Sequence, residues 1–146
     1  MGAATATRRR AAQRVSMARV LLDSTVIIDA LRGRPAAPRI AGLRRLGVEP
    51  WSCAVSVEEI WRGLRPEEEA TARRLFNGLR MAPLGMTEGR LAGGWRRAFA
   101  EHGVTLHQAD CLIAAAAWSV GASLATANVD DFPMAELTVE HWPIGE

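Results

Sequence analysis

The chain has 146 residues, 49% hydrophobic and 23% charged, with a formal net charge of +2; that suits one globular domain and is too short for two typical ones. All 18 basic residues are arginine and there is no lysine, which excludes the phosphate-loop lysine, Schiff-base catalysis and the lysine of a phospho-receiver. Arg8, Arg9, Arg10 and Arg14 place +4 in the first 16 residues, leaving 14 arginines against 16 carboxylates in the rest.

The basic tail, residues 1–16, is expected either to touch nucleic acid or to be an upstream extension, because Met17 opens a segment M-A-R-V-L-L-D that reads as a start of its own. One domain is assigned to 17–146. The tail does not resemble a secretory leader, since Ser16, Met17 and Arg19 stand where an apolar segment would be needed. The longest apolar run, Cys111 to Val120, is about half a membrane span. A cytoplasmic protein is expected, with Cys53 and Cys111 reduced and packed as small hydrophobes.

A strand is predicted over Arg19 to Leu22, followed by a helix over Val26 to Leu31 that Asp23, Ser24 and Thr25 could cap and Gly33 would end. A second helix is predicted from Pro35 to Leu46, closed by Gly47, then a buried strand over Pro50 to Val55. Ser56 is expected to start a helix running to Leu64, and Pro66 another running to Gly78, with acids first and arginines last as the helix dipole prefers. A weak strand at 80–85, helices near 87–101 and 106–119, and a short strand over Ser123 to Thr126 complete the pattern. Short strands, apolar on both faces and alternating with helices, indicate an α/β fold with a parallel sheet covered by helices. Ligands bind such sheets beyond the carboxyl ends of the strands.

Carboxylates recur at that edge. Asp23 ends the first apolar run. Asp110 falls on the same helical face as Leu106, Ile113 and Ala117; a charge there needs a metal, a buried arginine or free backbone N–H groups. Glu58 and Glu59 sit near a helix start and both lie off its packed face, and S56-V-E-E59 also fits a capping box. Asp130 and Asp131 follow the last strand, where paired acids are otherwise simply solvated. Acids from separate strand ends suit a hard divalent cation such as Mg²⁺, which can activate water at a phosphodiester. His102 and His141 are read as ordinary loop residues, and none of the three histidines, including His107 three residues before Asp110, is assigned to catalysis.

The segments V-L-L-D23-S24-T25-V-I-I-D29, S-V-E-E59-I-W-R-G63-L, H107-Q-A-D110-C-L-I-A and L-A-T126-A-N128-V-D-D131-F132, in this order, resemble the PIN-domain ribonucleases, specifically the VapC toxins of bacterial toxin–antitoxin pairs. The resemblance spans Met17 to Trp142. It implies a three-layer α/β/α PIN-like fold and a Mg²⁺- or Mn²⁺-dependent endoribonuclease. Asp23, Glu59, Asp110 and Asp131 would be the catalytic, metal-holding acids, and Ser24, Thr126 and Asn128 their supports. It selects Glu59 over Glu58, leaves Asp130 as the rival of Asp131, and makes Asp29 a surface or supporting acid. It further implies a VapB-type antitoxin partner, a transfer or ribosomal RNA substrate, a homodimer and a toxin–antitoxin hetero-oligomer. The alternative is a PIN-fold RNA- or partner-binding module without activity.

Overall fold

The structure, a computed structural model, describes residues 18–145; the assignment made for residues 1–16 lies outside the described residues. The order of elements is β1 (Ala18–Leu22), α1 (Ser24–Leu31), α2 (Ala36–Gly42), β2 (Val48–Cys53), α3 (Ala54–Gly63), α4 (Glu69–Asn77), β3 (Arg80–Ala82), α5 (Met86–Glu101), α6 (Gln108–Ser119), β4 (Ser123–Thr126) and β5 (Val139–His141), with 3-10 turns at 43–46, 66–68 and 129–131. The five strands form one sheet in the order β3-β2-β1-β4-β5, parallel throughout. Among the described residues no helix is long and apolar enough to cross a membrane.

Alternation along the central strand builds the three layers. Val20 and Leu22 pack with Val26, Ile27, Ala36, Ile40 and Ile60 on one face. Leu21 packs with Trp95, Cys111, Ile113 and Ala114 on the other, as period-two geometry requires of a strand buried on both sides. Both cysteines are free and buried, and burial pushes both thiols above their ordinary range, in keeping with inert packing groups.

Several expectations need correction. The predicted second helix divides into α2 and a 3-10 turn, still closed by Gly47 at φ 73°, a left-handed position that favours glycine. The strand expected at 50–55 begins and ends two residues earlier, and α3 starts at Ala54 with Cys53 as its cap. Ser56 is therefore inside the helix, fully buried, and S-x-x-E is not a capping box here. The glutamates that do reach back to a helix-start N–H are Glu68, to Arg65 (3.0 Å), and Glu88, to Gly85 (2.7 Å). The strand at 80–85 is only Arg80–Ala82. The edge strand β5 was not foreseen; three residues carry too little periodicity to register.

Candidate active site

The carboxyl edge of the sheet gathers the predicted residues. Asp23 directly follows β1, whose hydrogen-bonding row its N–H extends to the Ala125 carbonyl at 2.9 Å. Its extended backbone makes it the N-cap of α1, so the carboxylate accepts the free Ser24 N–H at 2.8 Å as helix starts demand. The other carboxylate oxygen accepts from the Thr25 hydroxyl (3.0 Å) and the Thr126 hydroxyl (2.8 Å). Each hydroxyl is itself oriented: the Asn128 N–H donates to Thr126 Oγ1 (3.0 Å) and the Ala127 N–H to Thr25 Oγ1 (3.3 Å). Asp23 is only 4% exposed, and this scaffold fixes both of its oxygens. From the sequence Thr25 is read only as a candidate helix cap; a hydroxyl two residues after a cap aspartate was the available signal for its bond to Asp23.

Ser24 links the second acid. Its hydroxyl lies 3.5 Å from Asp23 Oδ1 and 3.4 Å from Glu59 Oε1, so Glu59, on α3, faces Asp23, while Glu58 is exposed and pairs with Arg62. Burial, and next the charge of Asp23, raise the Glu59 carboxyl above its ordinary range against the pull of the Ser24 hydroxyl. Asp110 lies in the first turn of α6. Burial, then Asp131 and Asp23, push its carboxyl up to about 6, with His107 pulling the other way and Glu59 adding a further push. Asp110 thus senses all three of the other acids. Asp131 closes the 3-10 turn Val129–Asp131 and is exposed.

The alternative for Asp110, a buried arginine partner, is not found: among the described residues every ion pair lies elsewhere, at Glu49, Glu58 and Glu69. Among the described residues no ion pair offsets the repulsion at the cluster; His107 at Asp110 and Arg62 at Glu59 pull against it without a close contact. As the side chains stand, no three acidic, imidazole or thiol groups among the described residues converge closely enough to enclose an ion; the acids are electrostatic neighbours at the mouth of the site. The donor set is wholly oxygen, which fits a hard divalent cation.

Asp29 departs from expectation. It is 2% exposed, and its carboxylate accepts the backbone N–H of Ala36 (3.0 Å) and of Gly145 (3.0 Å). Pro35 gives α2 no side-chain cap, and Asp29 supplies the missing acceptor from one helix away. It is neither a surface acid nor part of the cluster. His141 also differs: it ends a strand instead of lying in a loop, and it lines a groove with Asp130 and Asp131.

Residues 20–136 match the PIN domain family model. This chain belongs to the PIN domain family. Among curated proteins it is similar to ribonuclease VapC19 of Mycobacterium tuberculosis, 33% identical over 115 residues that cover 78% of this chain and 92% of that protein. It is also similar to ribonuclease VapC10 of the same species, 36% identical over 118 residues, covering 80% and 88%. Among solved structures, DNA-bound VapBC from Salmonella typhimurium superimposes with a TM-score of 0.74 at 21% identity, covering 86% of this chain and 99% of that one. VapBC2 from Rickettsia felis, bound to a promoter DNA fragment, gives 0.73 at 18%, covering 85% and 98%. Those likenesses establish the α/β/α fold of a PIN domain.

Proposed function

We propose that this PIN domain is a divalent-metal-dependent endoribonuclease, the toxin of a toxin–antitoxin pair, with Asp23, Glu59, Asp110 and Asp131 holding Mg²⁺ or Mn²⁺. The observation that carries the reading is the cluster itself: Asp110 pushed up to about 6 by burial and by three other acids delivered from separate elements, with no arginine among its ion-pair partners in the described residues. Negative charge gathered in this way favours a cation. The names of the related VapC ribonucleases support RNA as the substrate. The VapBC complexes support a VapB-type antitoxin as partner.

Bound there, the cation would polarise a water and neutralise charge on the phosphodiester. The chain's own residues prepare the place. Thr25 and Thr126 hold one oxygen of Asp23, Ser24 N–H holds the other, and Ser24 Oγ ties Glu59 to the same point. Fixed ligand oxygens lower the reorganisation needed when charge develops. Asp131, preferred over Asp130 because its charge acts most strongly on Asp110, closes the site from the solvent side. The net reaction adds water across a phosphorus–oxygen bond of RNA, the leaving oxygen taking a proton. We assign the catalytic domain to 17–146 and place the protein in the cytoplasm, as a homodimer that also forms a hetero-oligomer with its antitoxin.

The competing reading, a binding module without activity, makes the opposite prediction in one assay. Antitoxin-free protein incubated with end-labelled transfer and ribosomal RNA should cut in Mn²⁺ and not in EDTA. Binding without cutting in Mn²⁺ would favour the module.

A further inference from the structure

Between the 3-10 turn Val129–Asp131 and the end of β5 lies an open groove of about 620 Å³, lined by Ala127, Asn128, Val129, Asp130, Asp131 and His141. The β4–β5 register pairs Thr126 with His141, so the two side chains leave the same face of the sheet. Thr126 is the residue whose hydroxyl holds Asp23, and Asp131 belongs both to the groove and to the acid cluster. The groove is thus continuous with the candidate active site.

Its walls carry a flat imidazole, a side-chain amide and a carboxylate. His141, Asn128 and Asp130 are all exposed, and none of the three side chains bonds to another described residue. Two neighbouring carboxylates, Asp130 and Asp131, disfavour a phosphate here. A nucleobase has no charge to repel, and single-stranded RNA is recognised by bases that stack on aromatic rings, His included, while hydrogen-bonding through their edges.

Resting on the ribonuclease reading, we infer that this groove is a nucleobase subsite beside the cut, with His141 as the stacking surface and Asp130 as the specificity-determining acceptor. A carboxylate can only accept hydrogen bonds. It therefore favours bases that present an exocyclic amine, namely adenine, cytosine or guanine, over uracil, whose single edge donor, N3–H, is flanked by two carbonyl oxygens that repel a carboxylate. Replacing Asp130 by asparagine adds donors and removes that discrimination.

The test uses the full chain with Mn²⁺ and a random-sequence single-stranded RNA pool, with the cut ends sequenced, followed by kcat/KM on the preferred sequence. Wild type should show uracil depleted at one position flanking the cut. His141→Ala should lower kcat/KM on the preferred sequence by roughly 5- to 150-fold, the range that loss of one base stack implies, and blunt the bias. His141→Phe should restore both, which a merely structural role for the imidazole would not allow. Asp130→Asn should cut while accepting uracil at that position. Cutting without any base bias, or a His141→Ala protein that keeps both bias and rate, overturns the subsite and leaves the ribonuclease reading intact. Failure of wild type to cut any RNA in Mn²⁺ overturns both.

Discussion

Replacing Asp110 by asparagine should stabilise the metal-free protein. In the folded chain its carboxyl is pushed from 3.8 up to about 6 by burial and like charges. Between those values the folded state binds more protons than the unfolded, so stability falls as pH rises through the window; the penalty is complete above about 6 and absent below 3.8. At 1.36 kcal/mol per tenfold change the displacement would amount to roughly 3 kcal/mol. Asp110 is only half-buried, and solvent screening reduces this to about 1 kcal/mol. For a domain of this size that is a rise in Tm of about 2–4 °C. Thermal melts in EDTA at pH 7.5 should show Asp110→Asn melting higher by that amount, with the difference shrinking toward pH 4. Saturating Mn²⁺ should raise the wild type, by about 2.7 kcal/mol at a hundredfold excess over Kd, and leave most of that gain missing in the variant. An Asp110→Asn protein that melts far lower without metal, as loss of a buried ion-pair partner would require at roughly 3–5 kcal/mol, refutes the reasoning.

Asp29→Ala should lower stability by about 2–4 kcal/mol, since it orphans the N–H groups of Ala36 and Gly145, while RNA cleavage per folded molecule stays near wild type; denaturant melts and active-fraction-corrected rates check both. Thr126→Val removes the hydroxyl that fixes Asp23 and should weaken Mn²⁺ affinity by roughly 10- to 100-fold, seen as a shifted midpoint in the metal dependence of cleavage. Deleting residues 1–16 should leave cleavage of a short RNA intact; if the tail's four arginines contact the substrate, the salt dependence of binding becomes shallower by about 0.7 per lost contact.

The sheet and its covering helices were legible because β1, β2 and β4 carry apolar residues on both faces and alternate with helices, a pattern that few architectures satisfy. Asp23 and Asp110 stood out as charges in apolar stretches. Glu59 did not, because its neighbours fit a capping box equally well; only the true start of α3 at Ala54 separates the two readings. Asp29 was illegible for a different reason: its partners are backbone N–H groups at Ala36 and, far along the chain, Gly145, and no residue-type pattern records a backbone donor. The uncapped Pro35 was the one hint that α2 needed an acceptor from elsewhere. His141 was hidden by the brevity of β5, whose place beside β4 is set by tertiary pairing alone.

The central claim, that four acids form one cation site, is tested most directly by calorimetric titration of Mn²⁺ into the antitoxin-free protein. The account predicts saturable binding to wild type that weakens at least about tenfold in Asp23→Asn, Glu59→Gln, Asp110→Asn and Asp131→Asn alike, and that is unchanged in Glu58→Gln. Wild-type affinity retained in Asp110→Asn, or a loss in Glu58→Gln as large as in Glu59→Gln, would contradict it.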